Sequence, residues 1–425
     1  RRSTFTSDIM NEGDVAQTIS KEETQTMTRI LSRRAFFQTT AAAALTAKTL
    51  AQAQAPKIAG FNETDAGKVK AAAWQSFSDR KVKVGIAGYG VCKFGAQFGF
   101  QQHPNVEVVA ATDLFSDRCA ELAKVTGAKK TYASCEEMFE KDKEIEAVFI
   151  ATDAPSHARL CIAGLKRGLH MASAVPAVFG AEQLALADEL LATVKQTGML
   201  YALYETSAFR PQVYAMREIF KAGGFGKLIY TEGEYYHYMD KHIGSYKDWR
   251  VALPPQYYPT HSNGFYTCVT GGSFTEVSCL AMPSLLADNQ PGKNRYNNPF
   301  ATEVALFRTS EGGMARMAVS WDMPGAHGEK GRVYGQKGCF EERYSGQADV
   351  SKVTQEKPPL PPGVPAGGHG GSHGYLTDDF IRAILLKRKP CVDAATALNT
   401  TVSGIYAHLS AMKGGETLKI PQYQL

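Results

Sequence analysis

Lys81-Val82-Lys83-Val84-Gly85-Ile86-Ala87-Gly88-Tyr89-Gly90 decides the fold of this 425-residue chain. The Val/Ile-rich run ahead of the glycines reads as a strand buried on both faces, the habit of a parallel sheet. Gly88 and Gly90 then permit a tight turn, and a helical pattern continues through Phe98. Val106–Thr112 reads as a second strand that ends at Asp113, 25 residues after Gly88. Strand, glycine turn, helix, strand and carboxylate is the order of a dinucleotide-binding unit. The glycines let a pyrophosphate approach the helix N-terminus, and the carboxylate accepts both ribose hydroxyls. Lys93 occupies the third glycine position of that fingerprint, with Gly95 two residues on. Asp113 favours NAD, since a carboxylate repels a 2′-phosphate, while Ser116 and Arg118 leave NADP open.

The alternation continues outward from this unit. Residues 146–152 read as a strand followed by Asp153-Ala154-Pro155-Ser156-His157 and a helix to Arg167. Residues 170–174 form another strand before Val175-Pro176, a helix follows over 180–197, and residues 199–204 close the unit at Glu205. Ligands of open α/β sheets gather at strand C-termini. The expected cofactor-binding set is therefore Gly88, Tyr89, Gly90, Asp113, Arg118, Thr152, His157, Val175 and Pro176. Residues 81–205 make the Rossmann domain and 206–375 a strand-rich substrate domain, with an alternating aromatic strand over 232–238. Helices over 376–386 and 394–412, within 376–425, are expected to pack back on the first domain.

Residues 1–55 read as an extension with an export signal, and 56–80 as an arm. Ser32-Arg33-Arg34-Ala35-Phe36-Phe37 precedes a small-residue run and the A-x-A sites of Ala51-Gln52-Ala53-Gln54-Ala55, the order of a twin-arginine signal and hence of a periplasmic protein. Outside the cytoplasm no free nicotinamide pool is expected, so a cofactor loaded before export must stay tightly bound and regain its redox state within each cycle. The net charge of +5, from 47 basic and 42 acidic residues, is too mild for nucleic-acid binding. No apolar run reaches membrane-spanning length. Eight scattered cysteines without a C-x-x-C pair read as reduced, buried thiols, and no metal site is expected.

These residues resemble the Gfo/Idh/MocA family of sugar-active oxidoreductases over about residues 81–412. Besides the glycine turn and Asp113, the resemblance rests on Ala154-Pro155-Ser156-His157, Gly224-Phe225-Gly226-Lys227, the strand pair 304–309 and 314–321, and Gly335-Gln336-Lys337-Gly338. It implies an α/β plus α+β architecture: an N-terminal Rossmann domain followed by an open, mostly antiparallel sheet used for substrate and for homo-oligomer contacts. Typical members carry Glu-Lys-Pro after the fifth strand, the lysine assisting proton transfer from a sugar hydroxyl; here the triplet is Ala174-Val175-Pro176. Val-Pro is similar to the NAD-dependent glycosidase branch (α-N-acetylgalactosaminidase-like). Tyr257-Tyr258-Pro259-Thr260-His261 resembles that branch's Tyr-Pro-Thr-His segment, whose tyrosine and histidine are catalytic. Gly367-Gly368-His369-Gly370-Gly371-Ser372 resembles its His-Gly-Gly segment, with His373 where an aspartate is expected and Phe209 where a tyrosine is.

The resemblance implies His261 and Tyr258 as catalytic residues, and an imidazole independently suits proton transfer near neutral pH. Glu205, His237, Trp249, Arg250 and His369 are the expected substrate-binding residues on a carbohydrate or glycoside. The chemistry implied is glycoside cleavage through transient oxidation at sugar C3, with elimination and no net redox change. Two other readings stand beside it: an oxidoreductase cycling bound NAD(P) between two sugars, as glucose–fructose oxidoreductase does, and an idle sugar-binding protein.

Overall fold

A computed structural model describes residues 74–287 and 289–425. The twin-arginine segment and most of the arm before residue 81 lie outside the described residues.

Six parallel strands run in the order β3-β2-β1-β4-β5-β6. They are β1 (Val82–Ala87), β2 (Val106–Thr112), β3 (Lys130–Tyr132), β4 (Ala147–Ile150), β5 (His170–Ser173) and β6 (Tyr201–Leu203). Val82, Val84, Ile86 and all four residues of β4 are fully buried, so the apolar runs mark strands covered on both faces. β3 is an element that periodicity misses, because none of its three residues is buried.

The helix after the glycine turn is much shorter than its sequence pattern suggests. Helix α1 spans only Phe94–Gln97, since Lys93 before it and Gly99 after it take left-handed backbone at φ 50° and 77°. The third-glycine role has moved with it. A Cβ on Gly95 would lie 2.4 Å from the Gly88 carbonyl oxygen, so it is Gly95 that lets helix and turn pack closely. Helices α2 (Ser116–Thr126), α3 (Cys135–Lys141), α4 (His157–Lys166) and α5 (Leu184–Thr197) complete this lobe.

Helix α6 (Pro211–Lys221) leads to an eight-stranded sheet of order β13-β12-β11-β7-β10-β9-β8-β14. Its strands are β7 (Leu228–His237), β8 (Phe274–Pro283), β9 (Phe300–Thr309), β10 (Met314–Ser320), β11 (His327–Gly335), β12 (Gly338–Phe340), β13 (Tyr344–Gly346) and β14 (Leu418–Lys419). Only the β7–β10 pair is parallel, so the sheet is mostly antiparallel, as expected. One face is covered by helix α7 (Thr260–Thr270). The other carries exposed Leu280, Met282, Leu306 and Met314.

The last two helices divide their work between the lobes. Helix α8 (His373–Leu385) joins the parallel sheet side, where Thr377 Oγ1 donates to the Phe98 carbonyl at 2.7 Å. Helix α9 (Ala394–Ala411), capped by Asp393 on the Thr396 amide, is buried almost throughout. It packs mainly on β8 and α7, and to a lesser extent on α5 and β6, so its return to the first domain is the smaller part of its packing. Its small residues make the close approach possible: a Cβ on Gly404 would fall 2.3 Å from Pro259 Cγ. On its opposite side α7 sits equally close to the sheet, with a Cβ on Gly233 falling 2.1 Å from the Ser262 carbonyl. The segment that opens with His261 is thus held on both sides.

Gly233→Ala should therefore destabilise the fold by about 1–3 kcal/mol through overpacking. A denaturation midpoint unchanged from wild type would show that α7 is not clamped in this way.

Candidate active site

The glycine turn after β1 has the form a dinucleotide needs. A Cβ on Gly88 would strike the Ala151 carbonyl oxygen at 2.4 Å, whereas one on Gly90 would meet nothing within 4 Å. Gly90 therefore faces an open cradle that a side chain would fill. Asp113 accepts from the Tyr89 amide at 2.7 Å and the Phe115 amide at 2.9 Å, one bond to each oxygen. Each oxygen keeps a lone pair for a ribose hydroxyl. Arg118 stacks on the Phe115 ring at 4.4 Å, next to that carboxylate. These residues fit a dinucleotide through backbone and carboxylate, while the four-residue α1 offers little helix dipole.

Two expected cofactor residues serve the loops instead. His157 is buried, with Nδ1 2.9 Å from the Pro176 carbonyl oxygen and Nε2 3.3 Å from that of Thr152; burial keeps the ring neutral, so its single N–H donates to one of the two. It ties the loop after β4 to the loop after β5. Thr152 uses its hydroxyl on Ser156 at 2.7 Å. Val175 is buried at the end of β5 and offers no proton-transfer group where the typical family triplet has lysine.

His261 is the second residue of α7 and is buried. Its Nδ1 contacts Glu205 Oε1 at 3.0 Å and stands 3.8 Å from Glu329 Oε1. Glu205, expected to touch ribose or sugar, is instead the residue that orients this imidazole across the lobe boundary. It also accepts from the Ser207 amide at 2.8 Å. Glu329, on β11, is held by Arg210 through two bonds of 2.6 and 2.7 Å and by the Ser207 hydroxyl at 2.7 Å. Burial alone pushes His261 toward neutrality, but the Glu205 and Glu329 carboxylates outweigh it and hold the imidazole above its ordinary range. Burial likewise opposes ionisation of Glu205, and the His261 charge beside it brings the carboxyl below its usual range.

Around this pair the fold gathers most of the expected substrate residues. The Tyr258 and His261 rings lie 5.6 Å apart, and His261 and His369 stack at 5.8 Å. Tyr235 packs edge-on to His261 at 4.7 Å, and His237 lines a small cavity with Tyr235, Arg250, Tyr258 and Trp321. Burial pushes Tyr258 up to about 12 against the opposing charge of Arg250, so the phenol stays an O–H donor through neutral pH. Burial takes His237 down to about 4. The Arg250 charge is felt by His237 and Tyr258 in one lobe and by Cys92 and His157 in the other, which sets it between the glycine turn and the imidazole cluster. Trp249 departs from the expectation. Its ring packs against Phe179 at 5.4 Å, with Arg250 over it at 4.1 Å, so it supports the arginine.

His369 sits on the turn Gly368–Gly371, with left-handed backbone at φ 52°. Lys357, just ahead of the Pro-rich stretch 358–365, donates to the Gly371 carbonyl at 2.7 Å and lies 4.4 Å over the Tyr375 ring, pinning that turn. Burial brings this lysine down to about 8. His261, Glu329 and His369 bring one ligand atom each within 4.8 Å of one another. Both Glu329 oxygens already serve Arg210, whose charge opposes a cation, so the cluster reads as a hydrogen-bonded charge network. Sequence reasoning missed Glu329, Arg210 and Lys357: no motif marks them, and only the pairing of β11 with β7 brings Glu329 to the site.

Comparison with known proteins agrees with the fold. Residues 82–205 match the oxidoreductase family with an NAD-binding Rossmann fold, Gfo/Idh/MocA. The chain carries a Gfo/Idh/MocA domain. Glycosyl hydrolase family 109 protein 1 of Bacteroides fragilis is 27% identical over 196 residues, 43% of this chain and 42% of that one. That match spans less than half the length of the curated relative. A glycosyl hydrolase family 109 protein of Solibacter usitatus is 24% identical over 404 residues, 84% of this chain and 92% of the relative. Levoglucosan dehydrogenase, solved with NADH and levoglucosan, is similar in fold with a TM-score of 0.65 at 17% identity, over 81% of this chain and all of that one.

Gly90→Ala should leave thermal stability unchanged yet weaken NAD binding by at least about tenfold, a loss of one well-placed contact; unchanged affinity in calorimetry would move the cofactor elsewhere. The charge pair predicts a pH window. His261, raised from 6.5, stabilises the fold fully below that value and loses the effect as pH rises through its folded pKa. Glu205, lowered from 4.5, contributes above that value and loses the effect as pH falls through its folded pKa. The pair is therefore at full strength between 4.5 and 6.5. Glu205→Gln should shift the His261 titration to lower pH in histidine-resolved NMR, and an unmoved titration would remove Glu205 as its partner.

Proposed function

We propose that this chain is a sugar-active enzyme with tightly held NAD that cleaves a glycoside by transient oxidation at C3. The observation that carries the reading is a buried, carboxylate-flanked imidazole, His261, at the mouth of a dinucleotide fold whose fifth-strand loop holds Val175 in place of a proton-transferring lysine. The names of the family 109 relatives point the same way.

A bound nicotinamide would supply reversible oxidation at sugar C3. With C3 as a ketone, the C2 hydrogen becomes acidic and passes as a proton to solvent while the aglycone leaves by elimination; addition of water, with C2 regaining a proton from solvent, and return of the ketone to the alcohol complete a hydrolysis with no net redox change. His261 is the proton-exchanging group. Glu205 occupies Nδ1, which leaves Nε2 to give a proton to the departing oxygen and to take one from the incoming water. Tyr258, protonated through neutral pH, donates a hydrogen bond to a sugar hydroxyl. Arg250 offers positive charge to an enolate oxygen.

Twin-arginine export of the folded, loaded protein suits such a captive cofactor. The open face of the second sheet, with Leu280, Met282, Leu306 and Met314 exposed, is the surface proposed to join copies of the chain.

Purified protein should release nicotinamide on denaturation and liberate nitrophenol from p-nitrophenyl glycosides of both anomers, with solvent deuterium entering at C2. His261→Ala should lower turnover by at least about 10²-fold. Cofactor left reduced until a second sugar is added would instead establish a two-sugar oxidoreductase, and absence of nicotinamide with no rebinding would overturn both.

A further inference from the structure

The stretch from Ser245 to Ala252 follows β7 and belongs to the second lobe by sequence, yet it meets the first lobe at one loop after another. The Tyr246 ring lies edge-on to Phe115, two residues beyond Asp113, at 6.0 Å. Trp249 packs edge-on to Phe179, in the loop after β5, at 5.4 Å. The Arg250 charge bears on Cys92 of the glycine turn and on His157 of the loop after β4. One short segment thus reaches the loops at the C-terminal ends of β1, β2, β4 and β5. Those ends are where an open α/β sheet holds a dinucleotide.

The path of the segment is imposed from outside. Lys247, Asp248 and Ala252 take left-handed backbone at φ 51°, 52° and 51°, which residues with a Cβ rarely adopt unless their surroundings hold them there. The loop between β8 and β9 supplies the hold. Arg295 Nη1 donates to the Lys247 carbonyl at 3.1 Å, the Tyr296 hydroxyl to that of Trp249, and Asn298 Nδ2 to that of Ala252 at 3.1 Å. Within the segment the Arg250 amide donates to Ser245 Oγ at 3.0 Å, so its two ends move together. On the loops after β1 and β2, Val91, Leu114 and Phe115 stay exposed, an apolar surface for a nucleobase or ribose to cover.

From this placement we propose that Ser245–Arg250 is part of the dinucleotide site: a strap that encloses bound NAD between the lobes, with Tyr246 closing on Phe115 at the ribose end and Arg295, Tyr296 and Asn298 holding it shut. The proposal deepens the tight hold on NAD put forward above, and it rests on the dinucleotide reading of Gly90 and Asp113 rather than on glycoside cleavage. It gives that hold a physical source. The glycine turn and Asp113 grip the cofactor from the first lobe only, and a ligand bound on one side leaves when those bonds break. A covered ligand waits in addition for the strap to lift.

The test is the release rate of NADH from the loaded full chain, read by nicotinamide fluorescence while excess NAD⁺ captures each vacated site. Tyr246→Ala should speed release by at least about tenfold, the worth of one aromatic contact. Tyr246→Phe keeps the ring and should release at the wild-type rate. Arg295→Ala removes the bond to the Lys247 carbonyl without altering the strap's own side chains, and it should speed release as well. Association should be no slower in either fast variant, because entry also requires the strap to lift. Should Tyr246→Ala not fold, Arg295→Ala, at an exposed position, decides alone. In protein that holds NADH, wild-type release from Tyr246→Ala overturns the strap. Faster release from Tyr246→Ala but not from Arg295→Ala overturns it too, leaving Tyr246 a simple contact. A chain that binds no NADH at all overturns the strap together with the function proposed above.

Discussion

Glu205 ends the loop from the last parallel strand and His261 opens a helix of the second lobe, and the 3.0 Å contact between them joins the two halves of the molecule. Neither side chain reaches solvent. A buried charge costs several kcal/mol unless a partner and further hydrogen bonds compensate, and removing one partner of such a pair is costlier than never having had it. The surrounding structure supplies that compensation. Ser207 bonds both Glu205 and Glu329, Arg210 grips Glu329, and the second carboxylate stands on the far side of the imidazole. The site is thus a fixed electrostatic frame built from both lobes.

Close packing holds that frame in register. Helix α7 is squeezed between β7 and α9 at distances only glycine permits, at Gly233 and Gly404. Several of its buried polar groups are tied to the neighbouring helix. Asn263 donates to the Thr400 carbonyl and the Ser403 hydroxyl, and Thr267 meets Thr400 at 2.7 Å. Such bonds specify one rotation of α7 against α9, and with it the direction of His261. Lys357 does the same for the turn bearing His369, so both of the stacked imidazoles sit on segments held from behind.

The charges of the pocket follow from this geometry more than from residue type. His261 is raised by carboxylates, whereas His237 and His369 are lowered by burial among positive neighbours. One imidazole is poised to ionise and the others are not. Environments that drive like groups apart in this way cluster at functional sites.

The parallel lobe was legible in the chain itself, because strands buried on both faces leave long apolar runs and a glycine turn leaves a gap that no other residue can fill. His261, Tyr258 and His369 could be marked as candidates, since their segments resemble known motifs, and Arg250 was among the expected substrate residues. Their partners could not. Glu329 lies on an alternating strand with nothing local to distinguish it, and it reaches His261 only through the pairing of β11 with β7. His157 and Trp249 look like ligands in sequence, yet their rings are engaged by loop carbonyls and by Phe179. Lys93 breaks the glycine fingerprint by residue type, while the structure moves the close contact to Gly95. Local order and backbone freedom are properties of neighbouring residues, so the chain alone determined them; burial, charge and proton position depend on groups distant in sequence, and only the tertiary structure decided those.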